Sequence, residues 1–250
     1  MLIIEQGAAL QSSPRYGSKT VIYPPPDSPK GPGGVIVSGV RKSSTPMFQE
    51  PTVKRAIAFF DGQNLFYAAK TAFGYTSPNY DPIKLATAVC DSQGWSLTQT
   101  RFYTGVPTAD DNPRWHDFWS RKLLTMKRAG VHVYSRPLRY RNKTGSDGSP
   151  VLVGEEKGID VRIAIDVFSC AIQDRFDVAL LFSQDQDLSE LADEFRTIAK
   201  SQSRWLKMAS AFPISPTSRN KRGINSTDWI KMDRAMYDAC IDQRDYHRVT

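Results

Sequence analysis

The sequence predicts a three-layer α/β/α domain built on a mostly parallel central sheet. Two apolar runs of strand length, residues 56–60 and 178–182, are of the kind buried on both faces of such a sheet. Between and beyond them, strand-like segments alternate with helical patterns of about 10–15 residues, the arrangement that right-handed βαβ crossovers require. With 250 residues, 40% of them apolar and 24% charged, the chain can bury a sizeable core, which excludes wholesale disorder.

Each element has a local reason. Arg55-Ala56-Ile57-Ala58-Phe59-Phe60 is a strand that ends in Asp61-Gly62 and leads to a helical pattern over 64–71. A short second helix is expected over 85–91. Residues 96–103 alternate and are rich in Thr, Phe and Tyr, which favours a strand. Asn112-Pro113 then opens a helix, with Asn as cap and Pro in the first turn. Trp115, Phe118, Trp119, Leu123 and Met126 share one face of it, and Gly130 stops it. A strand over 131–134 follows, then a turn-rich loop over 142–148. The rest reads as helix over 158–173, strand over 176–182, helix over 189–200, strand over 205–209, loop over 219–223 and a closing helix over 228–240.

Residues 1–52 differ from the remainder. Eight of the 16 prolines fall by residue 51, together with Gly31, Gly33 and Gly34. Missing backbone donors and the entropy cost of ordering glycine make this stretch an irregular arm before a domain over 53–250, with a C-terminal extension from about 212.

Composition narrows the function classes. No apolar run approaches the roughly 20 residues of a spanning helix. The first five residues lack both a basic segment and enough apolar length for a secretory signal. Cys90, Cys170 and Cys240 are odd in number and scattered, which argues against a disulfide scaffold or a structural zinc site. A cytoplasmic protein without a membrane partner is the expectation. The net charge of +7 and pI near 9.3 point weakly to a polyanionic partner. The distribution says more: residues 155–195 are strongly acidic, whereas the segments on either side are basic. Solvated helix faces explain most of those acids, but a cation-holding centre inside a phosphate-binding rim has the same pattern.

Parallel sheets bind ligands beyond the carboxyl ends of their strands. Two strands end there in acids, as Phe59-Phe60-Asp61-Gly62-Gln63-Asn64 and Leu181-Phe182-Ser183-Gln184-Asp185-Gln186-Asp187. Asp160 opens the helix between them. Singly, each acid can be a turn residue or a helix cap. Together, Asp61, Asp160, Asp185 and Asp187 come from three segments that this topology brings to one place. Carboxylates gathered at a strand mouth repel one another, and a bound Mg²⁺ or Mn²⁺, both of which prefer oxygen ligands, relieves that repulsion.

These three stretches, with Lys157-Gly158-Ile159-Asp160-Val161 as the middle one, resemble the successive motifs of the NYN domain family, in its LabA-like branch of the PIN-like nuclease superfamily. The likeness runs from about Lys54 to Ala211, and the tail through Arg222-Gly223-Ile224-Asn225 and Thr227-Asp228-Trp229-Ile230 also resembles a bacterial subgroup. The resemblance implies a PIN-like fold and a Mg²⁺- or Mn²⁺-dependent ribonuclease. It puts Asp61, Asp160, Asp185 and Asp187 on the acidic positions and Asn64 on the polar position after the first acid. Gln184 and Gln186 depart from the Gly and Ser usual around the third motif's first acid.

On that reading RNA is the partner, and Arg136, Arg139, Lys157, Arg162, Arg204, Lys207, Arg219, Lys221 and Arg222 are the candidate phosphate contacts. Tyr103, Tyr134 and Tyr140 are candidates for base stacking, the first two more readily as core. A homo-oligomer is compatible with the sequence. Two other readings compete: a catalytically silent RNA- or protein-binding module, and a phosphatase using Asp185-Gln186-Asp187 as its nucleophile pair.

Overall fold

The computed structural model describes residues 48–144 and 148–247. The arm expected over 1–52 lies almost wholly outside these residues, as does the 145–147 tip of the expected loop. The elements run β1 (Lys54–Asp61), α1 (Gly62–Phe73), α2 (Pro82–Gln93), β2 (Trp95–Val106), α3 (Pro113–Arg128) and β3 (His132–Pro137). Next come β4 (Arg139–Thr144), β5 (Pro150–Glu155), α4 (Ile159–Ile172), β6 (Val178–Phe182) and a 3-10 turn over Gln186–Ser189. The last are α5 (Glu190–Ser201), β7 (Lys207–Pro213), β8 (Asp228–Met232) and α6 (Arg234–Asp238).

Six strands form one sheet in the order β3-β2-β1-β6-β7-β8, and every neighbouring pair is parallel. The strand alternation divides the core in two. Ala56, Ala58 and Phe60 face the layer that holds α1, α2 and α3, where Leu65, Leu85, Phe102 and Trp119 gather. Ile57 and Phe59 face α4 and α5, against Ile163, Val167, Leu191 and Phe195. β6 splits the same way, with Val178, Leu180 and Phe182 on the first side and Ala179 and Leu181 on the second. Over residues 56–60 and 178–182 both central strands are therefore apolar on every residue, as the two runs in the sequence required. The Asn112 cap forms as expected, its side chain accepting from the Trp115 N–H at 3.0 Å. No helix among the described residues is long and apolar enough to cross a membrane.

The structure corrects two expectations. Residues 142–144 of the expected turn-rich loop are instead the end of β4, which pairs antiparallel with β5, Arg139 opposite Glu155. β4 reads Arg-Tyr-Arg-Asn-Lys-Thr and buries no face, so it lacks the apolar alternation that marks a strand. The closing helix expected over 228–240 is instead the edge strand β8 followed by the short α6. Ile230 and Met232 are buried while Asp228, Trp229 and Lys231 face out, a period of two. Asp233 then starts the helix, its carboxylate accepting from the Met236 N–H at 2.8 Å.

The strand order places the reversal of direction between β1 and β6. After β1 the chain builds outward through β2 and β3, then returns to add β6, β7 and β8 on the other flank. The connections above those two central strands diverge, leaving a crevice at their carboxyl ends.

Candidate active site

Asp61 closes β1 and caps α1, its carboxylate accepting from the Asn64 N–H at 3.1 Å. Gly62 makes that close start possible. A Cβ there would stand 2.7 Å from Phe102 Cζ and 2.9 Å from the Tyr103 carbonyl oxygen. The other oxygen of Asp61 accepts from the Ser183 hydroxyl at 3.2 Å, and Ser183 Oγ in turn accepts from the Asp185 N–H at 3.1 Å. Ser183 is thus the hinge between the two strand-end acids. Asn64 makes a second tie, its side-chain oxygen accepting from the Gln184 N–H at 2.9 Å.

These groups line a cleft of about 590 Å³ together with Glu156, Lys157, Gly158, Asp160, Pro213, Ser218 and Asn220. Of the expected site residues, Asp61, Asn64, Asp160, Asp185 and Lys157 meet there. Asp187 does not: it is exposed in the 3-10 turn, where its N–H donates to Asp185 at 3.1 Å, and it lies outside the cleft lining. Asp185 and Asp187 therefore do not present a nucleophile pair to one pocket.

Sequence reasoning missed Glu156. Its carboxylate accepts from the Gly105 N–H and from the Thr104 hydroxyl. A Cβ on Gly105 would come within 2.6 Å of Glu156 Cγ, so the glycine makes the space that Glu156 occupies. The available signal was position, because Glu156 directly precedes Lys157-Gly158-Ile159-Asp160 within the acidic segment.

Burial dominates the electrostatics. Only 7% of Asp61 remains exposed. Desolvation pushes its carboxyl up to about 6, aided by repulsion from Asp185 and Asp160 and opposed by the bonds from Asn64 and Ser183. Desolvation likewise pushes Glu156 up to about 7, with Asp61 and Asp160 adding repulsion. Oxygen donors of this kind are those a hard cation prefers. Among the described residues no three His, Cys, Asp or Glu side chains stand close enough to enclose a metal ion. Mg²⁺, however, is usually held by one or two carboxylates, with waters and substrate oxygens completing its shell. Asp61 and Asp185, joined through Ser183, fit that smaller requirement.

The raised values have a consequence for stability. A carboxyl whose folded pKa exceeds its unfolded value near 4.3 favours the protonated native state. Its contribution is present below that value and is lost as pH rises through about 7 for Glu156. Glu156→Gln can keep the oxygen that accepts from Gly105 and Thr104 while removing the charge. In metal-free protein this variant is expected to be more stable than the parent at pH 8, by roughly 1–3 kcal/mol, and nearly equal to it at pH 4. Thermal melts of both proteins at the two pH values check this. Equal melting at pH 8 would mean that burial of Glu156 carries no penalty.

The two glutamines that depart from the family pattern fasten a neighbouring loop. The Gln184 side-chain amide donates to the Arg222 carbonyl at 2.7 Å. Gln186 donates to the Gly223 carbonyl at 3.0 Å and accepts from the Asn225 N–H at 3.1 Å. They hold the β7–β8 connection beside the cleft, so its Ser218 and Asn220 become part of the wall. Arg219, Lys221 and Arg222 are exposed on this connection, and the Arg222 guanidinium lies 6.0 Å from the Trp229 ring centroid.

The other expected phosphate contacts separate by position. Arg136, near the carboxyl end of β3, reaches toward Gly158, where a Cβ would meet its guanidinium at 3.1 Å. Arg139 is exposed on β4 of the hairpin. Three others are engaged within the protein. Arg162 pairs with Asp166 at 2.9 Å and lies over the Tyr134 ring, away from the cleft lining. Arg204 donates to the carbonyls of Phe176 and Ala171, and Lys207 pairs with Asp228 at 2.7 Å. Arg204 precedes β7 and Lys207 is its first residue, so both sit at the amino edge of a parallel sheet, opposite the cleft. The sequence held that signal, since residues before a parallel strand cannot share an edge with residues after one. Tyr103 is fully buried with its hydroxyl donating to Asp166 at 2.8 Å, which removes it as a base-stacking surface.

Comparison with known proteins yields one family match and two distant structural likenesses. No curated protein matches the chain. Among solved structures, a protein of unknown function from Vibrio parahaemolyticus is similar at 19% identity and a TM-score of 0.46, covering 74% of this chain and 97% of its own. MurG from Acinetobacter baumannii aligns at 8% identity and a TM-score of 0.28, over 72% of this chain and 45% of its own. The family model described as NYN domain matches residues 55–203, from the first strand through the end of α5. Six parallel strands flanked by helices are consistent with that match, which covers more than half of the chain: the chain belongs to the NYN domain family, of the PIN-like nuclease type.

Proposed function

We propose that this protein is a metal-dependent ribonuclease, hydrolysing RNA phosphodiester bonds in the cleft above β1 and β6 with Mg²⁺ or Mn²⁺. The observation that carries the reading is the convergence of Asp61, Glu156, Asp160 and Asp185 on one cleft. Asp61 and Asp185 are the residues that would hold the cation, with Asp160 beside them. When bound, the cation supplies Lewis-acid polarisation of the scissile phosphate and offsets the charge that builds on it.

The chain's own groups provide the rest. Ser183 fixes the Asp61 carboxylate by donating to it, and Asn64 fixes the following loop. Glu156, with its carboxyl near 7, is suited to move a proton at neutral pH, taking one from the attacking water or returning one to the leaving oxygen. Lys157, exposed at the cleft, offers a counter-charge to a phosphate oxygen. The three histidines lie outside the cleft lining, so paired imidazoles do not serve it. A fluorogenic RNA substrate with Mg²⁺, Mn²⁺ and EDTA arms tests the proposal. Cleavage in the metal arms and none with EDTA is expected, and cleavage that ignores EDTA would overturn it.

The hairpin and the β7–β8 connection support RNA as the substrate. Alternation puts Arg139, Arg141 and Lys143 on one face of β4, with Glu155 as their local counter-ion. Arg219, Lys221 and Arg222 stand on the connection that forms the cleft wall. RNA affinity is therefore expected to fall steeply with salt, because each phosphate contact releases counter-ions. Reversing the charge at Arg219, Lys221 and Arg222 together should flatten the slope of log affinity against log salt by about 2–3. An unchanged slope would mean that this connection does not touch RNA.

A second reading, a catalytically silent binding module, draws on the absence of any three enclosing ligands among the described residues. It predicts no change in melting temperature with Mn²⁺, whereas a carboxylate site that binds the ion raises it.

A further inference from the structure

The solvent side of α4 carries no polar face. Its exposed residues are Val161, Ile165, Phe168 and Ile172, open by 56%, 54%, 37% and 48%. Their spacing of four, three and four residues makes a single straight stripe, the pattern of a helix–helix seam. The opposite side of the same helix is already in the core through Ile159, Ile163 and Val167. With an apolar stripe in water opposite an apolar side in the core, α4 has one side still to cover. The two ionisable groups at its middle are not part of the stripe: Asp166 is buried, and Arg162 pairs with it at 2.9 Å and lies over the Tyr134 ring.

We propose that α4 is a twofold interface on which two copies of this chain pair, stripe against stripe. A second copy is the occupant that fits best for three reasons. A straight stripe of uniform chemistry is self-complementary, as an isologous contact requires. Each copy carries a net charge of +7, so contact between its basic surfaces is opposed. The uncharged stripe is a place where that repulsion does not oppose contact. Beside it, α5 packs on α4 and turns outward Glu190, Asp193 and Glu194 with Arg196 and Lys200, a rim of both signs that can pair across a twofold axis. The stripe leaves roughly 300 Å² of apolar surface in water per copy, a fitting core for an interface that needs about 800 Å² a side once its polar rim is included. The interface is independent of the catalytic reading, because the cleft lies at the amino end of α4 and none of the four stripe residues lines it.

Sedimentation equilibrium of the full chain over a wide concentration range tests this. The expected mass is twice the 28.1 kDa of the chain. Ile165→Lys with Phe168→Lys, and separately Ile165→Glu with Phe168→Glu, should raise the dimer Kd by about a hundredfold or more, since each buries unpaired like charges. Mixing the two doubly substituted proteins in equal amounts should restore a dimer, whether the helices cross parallel or antiparallel. Should these variants not fold, Ile165→Ser provides the milder test and should still raise the dimer Kd about tenfold. A monomer at every concentration overturns the proposal and gives the stripe to another segment or a foreign protein. A dimer indifferent to these substitutions overturns it as well.

Discussion

Replacing both Asp61 and Asp185 by Asn is expected to lower RNA hydrolysis at least about a thousandfold, because the cation contributes several kcal/mol at 1.4 kcal/mol per decade of rate. The substitution keeps side-chain shape, and Asp61→Asn retains an oxygen able to accept from the Asn64 N–H. Metal-free RNA binding should stay the same or tighten, since two negative charges that repel phosphate have gone. Asp187→Asn serves as the matched control. Its carboxylate is exposed and outside the cleft, so the change in rate should be no more than a few-fold. Single-turnover cleavage and a binding isotherm in EDTA separate the two effects. A double variant as active as its parent would remove the metal-nuclease assignment.

Gly62→Ala is expected to have a large effect on stability for a single methyl group, and its sign separates two readings of the Asp-Gly pair. Gly62 has no positive φ and opens α1. On helix propensity alone, alanine there would stabilise by about 0.5–1 kcal/mol. The added Cβ, however, meets Phe102 Cζ at 2.7 Å and the Tyr103 carbonyl oxygen at 2.9 Å. Phe102 cannot retreat, being fully buried with Phe60, Tyr80 and Trp119 around it at ring separations of 6.0–6.4 Å. Overpacking of this kind costs about 2–3 kcal/mol, which outweighs the propensity gain. For a domain of about 200 residues that is a fall of roughly 5–10 °C in melting temperature. Because Asp61 is the preceding residue, displacement of α1 also pulls its carboxylate from Ser183. A melting temperature equal to the parent's, or higher, would show that the glycine serves only the turn.

Much of the fold was legible because its central strands are extreme. The runs 56–60 and 178–182 are apolar on every residue, and few structures other than a strand covered on both faces use such a sequence. What escaped were elements whose partner is not local. β4 is polar along its length, and pairing across its hairpin rather than burial makes it a strand. β8 has only two buried side chains, and its five residues and the short helix after it together mimic one amphipathic helix.

The site divides along the same line. By itself the sequence determined that Asp61 and Asp185 end buried strands and that Asp160 opens a helix, because strand ends and helix starts are written in local pattern. It equally determined that these segments meet at the carboxyl edge, because parallel strands put all such ends on one side. Tertiary structure alone decided which side chains complete the cleft. Glu156 enters because Gly105, fifty-one residues earlier, leaves room for it and donates to it. Ser183 links the Asp61 carboxylate to the Asp185 backbone because β1 and β6 are neighbours. Gln184 and Gln186 hold the basic β7–β8 connection against the wall, although local pattern marks them only as departures from a motif. Such roles depend on a backbone amide or a vacant Cβ on a distant strand, and a linear pattern of residue types carries no information about either.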